Sequence, residues 1–478
     1  MYRFMRNSTL LSSPKPFSFR MTAENRIKQL TSILNNSQMR MSTSSNPLDE
    51  SEQTDVLHQK ILGARFFTLN RPNALNALNL SMVRNMTPQL QAWDLSDLCH
   101  VVILKGAGKA FCAGGDVKSV IELAQKKDPL ALRFFEEEYQ LNHLIATLKT
   151  PFVAILDGVT MGGGVGLSVH APFRIATENT VFAMPETKIG FFPDVGGSFF
   201  LPRMDGELGT YLALTGARLK GEDVFRAGIA SHFVPSKSLT DLEERLMELE
   251  SSDYGVINAA IEEVADSDPH HHFSLGGEIR KIIDKCFCHN NLEEIVKALD
   301  EDPSEFAKMT KDTLLQMSPT SLRVTLEQLR RGKEMSIAEC FKMEYRLAQQ
   351  FLVTHDFHEG VSSLLITKTN SPSWNPPTLQ DLSPEILQIF FDMPKPFTLE
   401  LLNSTDFFSY PHAYFALPSE EEVRNAVMRL EPNAGSLESS RKKVIDILTR
   451  ERHGKRGVRE KVEEVLDRRI SEKFQWIE

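Results

Sequence analysis

Two carboxylates flank an apolar turn in the stretch PETKIGFFPDVGG, Pro185–Gly197. They are Glu186 and Asp194, eight residues apart, with Ile189, Gly190, Phe191, Phe192 and Pro193 between them. A carboxyl group beside apolar side chains loses hydration, and its pKa rises. That suits it to proton transfer near neutral pH or to attack on a carbonyl carbon. A solvated loop that happens to carry two acids is the competing reading. Two glycine clusters offer a complementary chemistry: Phe111-Cys112-Ala113-Gly114-Gly115-Asp116 and Gly162-Gly163-Gly164. Glycine lets the backbone approach a ligand closely and aim its N–H groups at it. Neither cluster matches GxxxxGK[ST] or GxGxxG with its later acid, so a nucleotide loop is not indicated. Two donor turns and two acids together suit a reaction that builds negative charge on an oxygen.

The elements that must position these groups read as an α/β chain. Ala64–Leu69 has strand character and runs into the turn signal Asn70-Arg71-Pro72-Asn73. Leu80, Val83, Met86 and Leu90 recur at helical spacing within 78–90. Val101–Leu104 and Phe152–Leu156 are short continuous apolar runs, as expected of strands buried on both faces. Each is followed by one of the glycine clusters, and a helix is expected to start near Leu167. Strands alternating with helices imply a layered α/β core. From about residue 240 the pattern is mostly helical, including 242–249 and 279–299.

With 478 residues, 41% apolar and 25% charged, the chain has an ordinary globular balance, and its formal net charge of -10 excludes a generic nucleic-acid binder. No apolar run reaches the ~18 residues needed to cross a bilayer, so no membrane partner is expected. Five cysteines make no disulfide framework in a chain of this length. Cys286, Cys288 and His289, with His270, His271 and His272 upstream, match no zinc spacing. The first 45 residues carry Arg3, Arg6, Lys15, Arg20, Arg26, Lys28 and Arg40 against a single acid, Glu24. A basic, hydroxyl-rich, acid-poor leader is the pattern of a mitochondrial import segment. A plain disordered tail is the alternative.

Taken in order, Lys109–Asp116, Asp157–Gly166 and Phe182–Glu186 resemble the enoyl-CoA hydratase/isomerase (crotonase) superfamily. Further stretches narrow the likeness: Thr160–His170, Phe192–Gly197, Leu214–Gly221, Met317–Leu322, Met343–Arg346 and His355–Gly360 resemble its 3-hydroxyisobutyryl-CoA hydrolase branch. The similarity spans residues 55 to 376. It implies a spiral of ββα repeats with a helical C-terminal region, often assembled as a homo-oligomer. It also implies an acyl-CoA thioester substrate and no separate cofactor, coenzyme A being part of the substrate.

Carried over by this resemblance, the N–H groups of Gly115 and Gly163 form an oxyanion hole, where one fixed donor is worth roughly 3 kcal/mol of barrier. Classical hydratases use two glutamates. One falls at Gly166, which has no side chain; the other falls at Glu186. The hydrolase branch pairs that glutamate with an aspartate, here Asp194. Glu138, within Glu136-Glu137-Glu138, matches a substrate-contacting glutamate of the branch, against the reading of three acids on a solvated helix face. Lys109 and Lys368 are candidates to contact the phosphates of coenzyme A, with a simple surface role as the alternative. His170 and His355 read as structural. Cys112 lies beside the first glycine turn with no His–Asp partnering to make it a nucleophile. The implied activity is hydrolysis of 3-hydroxyisobutyryl-CoA to 3-hydroxyisobutyrate in valine breakdown, in the mitochondrial matrix.

Residues 377–478 leave this pattern. Pro376-Pro377 and Pro394-Lys395-Pro396 read as linkers, Phe407–His412 resembles the tail of fungal-type members, and 419–429 and 437–473 read as helices. Residues 441–473 hold twelve Lys/Arg against seven Asp/Glu, densest at Arg450–Arg456. The stretch is either a solvated helical cap or a phosphate-binding footprint. Some relatives of the branch are components of the mitochondrial small ribosomal subunit, so that assembly is the second expected partner.

Overall fold

The structure, a computed structural model, describes residues 54–392, 397–430 and 437–477. The basic leader expected over 1–45 and the expected linker at Pro394–Pro396 lie outside the described residues. The described residues form one compact unit.

The apolar runs become strands of two sheets. The larger has six strands. A hairpin, β1 (Val56–Ile61) and β2 (Ala64–Leu69), is joined in parallel by β3 (Val101–Gly106), β5 (Phe152–Leu156), β7 (Phe173–Ala176) and β10 (His232–Phe233). The smaller has four, in the order β4 (Ala110–Cys112), β6 (Val159–Met161), β8 (Val181–Ala183) and β9 (Leu219–Lys220). The pairs β3/β4, β5/β6 and β7/β8 each give one strand to each sheet. The chain therefore winds as the expected spiral of ββα turns. β3 and β5 are buried along nearly their whole length, which explains their unbroken apolar sequence.

In the small sheet β4, β6 and β8 run parallel, with Cys112 beside Thr160 and Met161 beside Ala183. Their C-terminal ends are thus level. The residues that follow, Gly114-Gly115, Gly162-Gly163 and Pro185-Glu186, are delivered side by side. Helix α1 (Leu80–Asp94) starts where its apolar spacing predicts, capped by Asn79, whose side chain accepts from the Met82 N–H at 2.8 Å. Helices α2 (Val117–Gln125) and α3 (Leu130–Ala146) follow the first glycine turn, and α4 (Gly163–Gly166) starts inside the second.

Two expected helices are each divided. Residues 279–299 form α5 (Gly277–Phe287) and a separate helix, Leu292–Glu301, whose cap Asn291 accepts from the Glu294 N–H at 2.7 Å. Beyond them come α6 (Pro319–Gly332), α7 (Ile337–Phe351), α8 (His355–Val361) and α9 (Glu420–Met428). Residues 437–473 divide into α10 (Leu437–Glu451) and α11 (Val458–Arg469). His453, Gly454 and Gly457 between them all have positive φ and reverse the chain.

The basic residues of this last stretch turn inward more than a solvated cap or a phosphate footprint requires. Lys455 pairs with Glu262 at 2.6 Å, Lys461 with Asp205 at 2.7 Å and Arg452 with Glu422 at 2.5 Å. Arg468 and Arg469 both hold Glu420, at 3.0 and 2.5 Å, and Arg469 also reaches Asp284 at 2.8 Å. Arg452, Lys455, Lys461 and Arg468 are buried. Much of the local positive charge is therefore matched by acids of the core and of α9. Lys442, Arg450 and Arg456 are among those still exposed.

Lys461→Ala takes from the part-buried Asp205 carboxylate its ion-pair partner, with only the more distant Arg280 left beside it. A loss of about 1–3 kcal/mol is expected in thermal or denaturant unfolding. Arg459→Ala, on an exposed pair with Glu463, should change stability by about 1 kcal/mol or less.

Candidate active site

The level ends of β4, β6 and β8 bring Gly115, Gly163 and Glu186 together, and α3 adds Glu138. The approach is close. A Cβ on Gly163 would lie 3.1 Å from the Gly115 nitrogen and 2.6 Å from Glu138 Oε1. A Cβ on Gly162, which has φ +43°, would lie 2.7 Å from Glu186 Oε1. Any side chain at either position would fill the space between the backbone and the two acids. Among the described residues, the N–H groups of Gly115 and Gly163 have no acceptor within the chain.

Of the three successive acids on α3, only Glu138 turns in. Glu136 pairs with Arg133, and Glu137 accepts from Nε and Nη2 of Arg84, at 2.8 and 2.9 Å. Glu138 falls on the buried face with Phe134, Phe135, Tyr139 and Asn142. Glu186 opens a 3-10 turn at the end of β8. Its Oε2 and Glu138 Oε1 are both buried without a hydrogen-bond partner. Asp194 is buried too, and the Tyr139 hydroxyl donates to its Oδ2 at 2.8 Å.

Among the described residues no cation pairs with Glu138, Glu186 or Asp194, and their pKa values move accordingly. Burial pushes Asp194 up to about 7, against the pull of the Tyr139 hydrogen bond. Burial and the neighbouring Asp194 push Glu186 well above the usual carboxylate range. Burial, then Asp194 and Glu186, do the same to Glu138. The site can therefore hold and move protons near neutrality.

The residues after Phe192 are held by three groups: Gln328 and Glu344, which had no assigned role in the sequence, and His170, which read as structural. Gln328 of α6 donates to the Pro193 carbonyl at 2.7 Å. Glu344 of α7 accepts from the N–H groups of Gly196 and Ser198, at 2.7 and 2.9 Å, and from the Ser198 hydroxyl at 2.5 Å. Its own pKa is pushed up to about 8 by burial. His170 bridges the Val195 carbonyl and the Tyr410 hydroxyl at 2.8 Å each. Burial takes its pKa down to about 4, so the neutral ring donates to Val195 and accepts from Tyr410. Ahead of the turn, Phe191 stacks between Phe135 and Phe357, with ring centres 5.4 and 4.5 Å away.

The slot of the second hydratase glutamate is filled. A Cβ on Gly166 would meet Val195 Cβ at 2.6 Å and the Asn142 amide at 2.8 Å. A glutamate there would need this wall to move. Cys112 is buried beneath the site, with its thiol pushed up to about 12 by burial. His355 is half-exposed at the start of α8 and contacts Asp356 at 3.2 Å. Lys109, just before β4, and Lys368, beyond α8, are both exposed and stand outside the carboxyl cluster. Among the described residues no group of three His, Cys, Asp or Glu is placed to hold a metal ion.

The raised Asp194 pKa has a stability signature. A carboxyl held above its unfolded value of ~3.9 stabilises the fold fully below that pH, and the contribution is lost as pH rises through about 7. Asp194→Asn removes this loss. Its melting temperature should exceed that of the wild type at pH 8, and the gain should vanish near pH 4.

A sequence profile of the enoyl-CoA hydratase/isomerase family matches residues 64–391. The small ribosomal subunit protein mS47 of Neurospora crassa is 48% identical over 448 residues, covering 88% of this chain and 87% of that protein. The mitochondrial 3-hydroxyisobutyryl-CoA hydrolase of Danio rerio is 49% identical over 342 residues, covering 71% of this chain and 89% of that protein. The crystal structure of a carnitinyl-CoA dehydratase from Mycobacterium thermoresistibile superposes with a TM-score of 0.68 at 36% identity, covering 73% of this chain and 99% of that one. The profile spans more than half the chain, and the paired sheets and glycine turns are the architecture its motifs imply. The chain belongs to the enoyl-CoA hydratase/isomerase family.

Proposed function

We propose that this chain hydrolyses 3-hydroxyisobutyryl-CoA to 3-hydroxyisobutyrate and coenzyme A, in the mitochondrial matrix, as a step of valine degradation. The observation that carries the reading is the buried Glu186 carboxyl, with one oxygen unpartnered, beside two N–H groups without acceptors. The thioester carbonyl oxygen sits between the N–H groups of Gly115 and Gly163, which take up the charge that develops on it. Glu186 attacks the carbonyl carbon, the C–S bond breaks, and coenzyme A leaves as the thiolate and takes a proton. Water then opens the mixed anhydride and restores Glu186. In the variant form of the step, Glu186 takes a proton from water, and the water attacks directly. Asp194 hydrogen-bonds the substrate's 3-hydroxyl or positions the water, and Glu138 contacts the acyl portion. Lys109 and Lys368 meet the phosphates of coenzyme A. Hydration of an enoyl-CoA is disfavoured because Val195 and Asn142 fill the space a glutamate at 166 would need.

Thiol release from (S)-3-hydroxyisobutyryl-CoA by protein lacking residues 1–45 tests the activity. Glu186→Gln and Asp194→Asn should each lose at least ~100-fold. In single turnover in H2-18O, label in Glu186 marks the anhydride route, with water opening the anhydride at the Glu186 carboxyl carbon. No thiol release by folded wild type would refute the hydrolase.

A place in the mitochondrial small ribosomal subunit, alone or in addition, is the second reading. It is favoured by the Neurospora protein, whose match covers 88% of this chain and so extends beyond the 64–391 shared with the family. Co-sedimentation with small subunits that survives raised salt is the expected result. Loss at modest salt would count against it, because a contact through Lys442, Arg450 and Arg456 alone would be screened.

A further inference from the structure

A cavity of about 320 Å3 lies between the core and the C-terminal segment, lined by Arg174, Phe200, Met204, Ile229, Tyr410 and Leu417 among others. None of Gly115, Glu138, Gly163, Glu186 or Asp194 lines it. Its wall is mostly apolar, and its charges are matched with one exception. Asp205 pairs with Lys461, and Glu422 pairs with Arg452. Arg203 directs its N–H groups to the carbonyls of Phe199, Gly332, Lys333, Met335 and Phe408, which occupies the whole guanidinium.

Arg174 is the exception. Its Nε donates to the Ile229 carbonyl and its Nη1 to the Ala171 carbonyl, each at 2.6 Å. Its Nη2 has no acceptor among the described residues, and no described carboxylate lies within ion-pair distance. The ionisable neighbour that favours its charge is the Tyr410 phenol, which is neutral, and burial pulls the Arg174 pKa down to about 10. A part-buried cation set in an apolar wall without a counter-ion favours an anion beside it. A guanidinium edge with free N–H groups is shaped for a carboxylate. The volume sits at the small end of ligand pockets, and the walls suit a short aliphatic body.

We propose that this cavity is a second, non-catalytic site for short-chain aliphatic carboxylates, with the anion on Arg174 Nη2 and the hydrocarbon against Phe200, Met204, Ile229 and Leu417. Binding here does not depend on the thioester chemistry above, so it stands or falls separately.

Isothermal titration calorimetry of the full chain with isobutyrate tests it, with neutral isobutyramide as the paired probe. One site is expected for isobutyrate, with isobutyramide at least ~10-fold weaker for want of the charge-assisted pair. Arg174→Gln should weaken isobutyrate at least as much. Because Arg174 also holds two carbonyls, Met204→Trp provides the second variant: it fills the cavity, leaves those bonds in place, and should abolish the binding heat. No binding by wild type, equal binding of the amide, or isobutyrate binding unchanged in Met204→Trp would each overturn the assignment.

Discussion

Three buried carboxyl groups lie together, and among the described residues no cation neutralises them. That constraint shapes most of what surrounds the site. Glu138, Glu186 and Asp194 are each buried, and each is held toward its protonated form. Left to itself, such a cluster would relax by moving apart or by admitting water. Here the backbone on either side is fixed. Glu186 follows the end of β8, Glu138 is locked on a helix buried along one face, and Asp194 precedes a turn tied down by Gln328, Glu344 and His170. The stabilising interactions around the site offset the electrostatic penalty inside it.

The small sheet supplies the precision. Because β4, β6 and β8 are parallel, with Cys112 beside Thr160 after a bulge in β4 and Met161 beside Ala183, three separate loops leave the sheet at one level. Two of them carry glycines, and the third carries Glu186. A shift of one residue in any strand would turn its side chains to the other face and separate the N–H groups from the acid. The same geometry bears on the choice of reaction. α4 lies so close to Val195 and Asn142 that Gly166 has no room for a side chain, so the acids available to chemistry come from the other walls.

Much of this was legible locally. The buried strands announce themselves as apolar runs, the donor turns as glycines directly after them, and the pair Glu186 and Asp194 by its apolar flank. Even the break before Leu292 has a local mark, an asparagine three residues ahead of a glutamate. The supporting groups left no such mark. Glu344 meets Ser198 across 146 residues, Gln328 meets Pro193 across 135, and His170 meets Tyr410 across 240. Their partners are backbone groups or a single hydroxyl, and no periodicity or short motif encodes a contact at that separation. The ion pairs of the C-terminal stretch left no mark for a similar reason. A count of basic residues does not show that Asp205, Glu262 and Asp284 wait for them on the folded core.

Tyr410 belongs to the last part of the chain, yet its hydroxyl orients the histidine that holds the turn beside Asp194. Synthesis on a ribosome proceeds from the amino end. The spiral, its glycine turns and all three acids therefore emerge well before the tyrosine that completes their support. A chain released early would own the chemical groups without the scaffold that aims them. The support of the turn beside Asp194 is thus finished only once the segment around Tyr410 has joined the core.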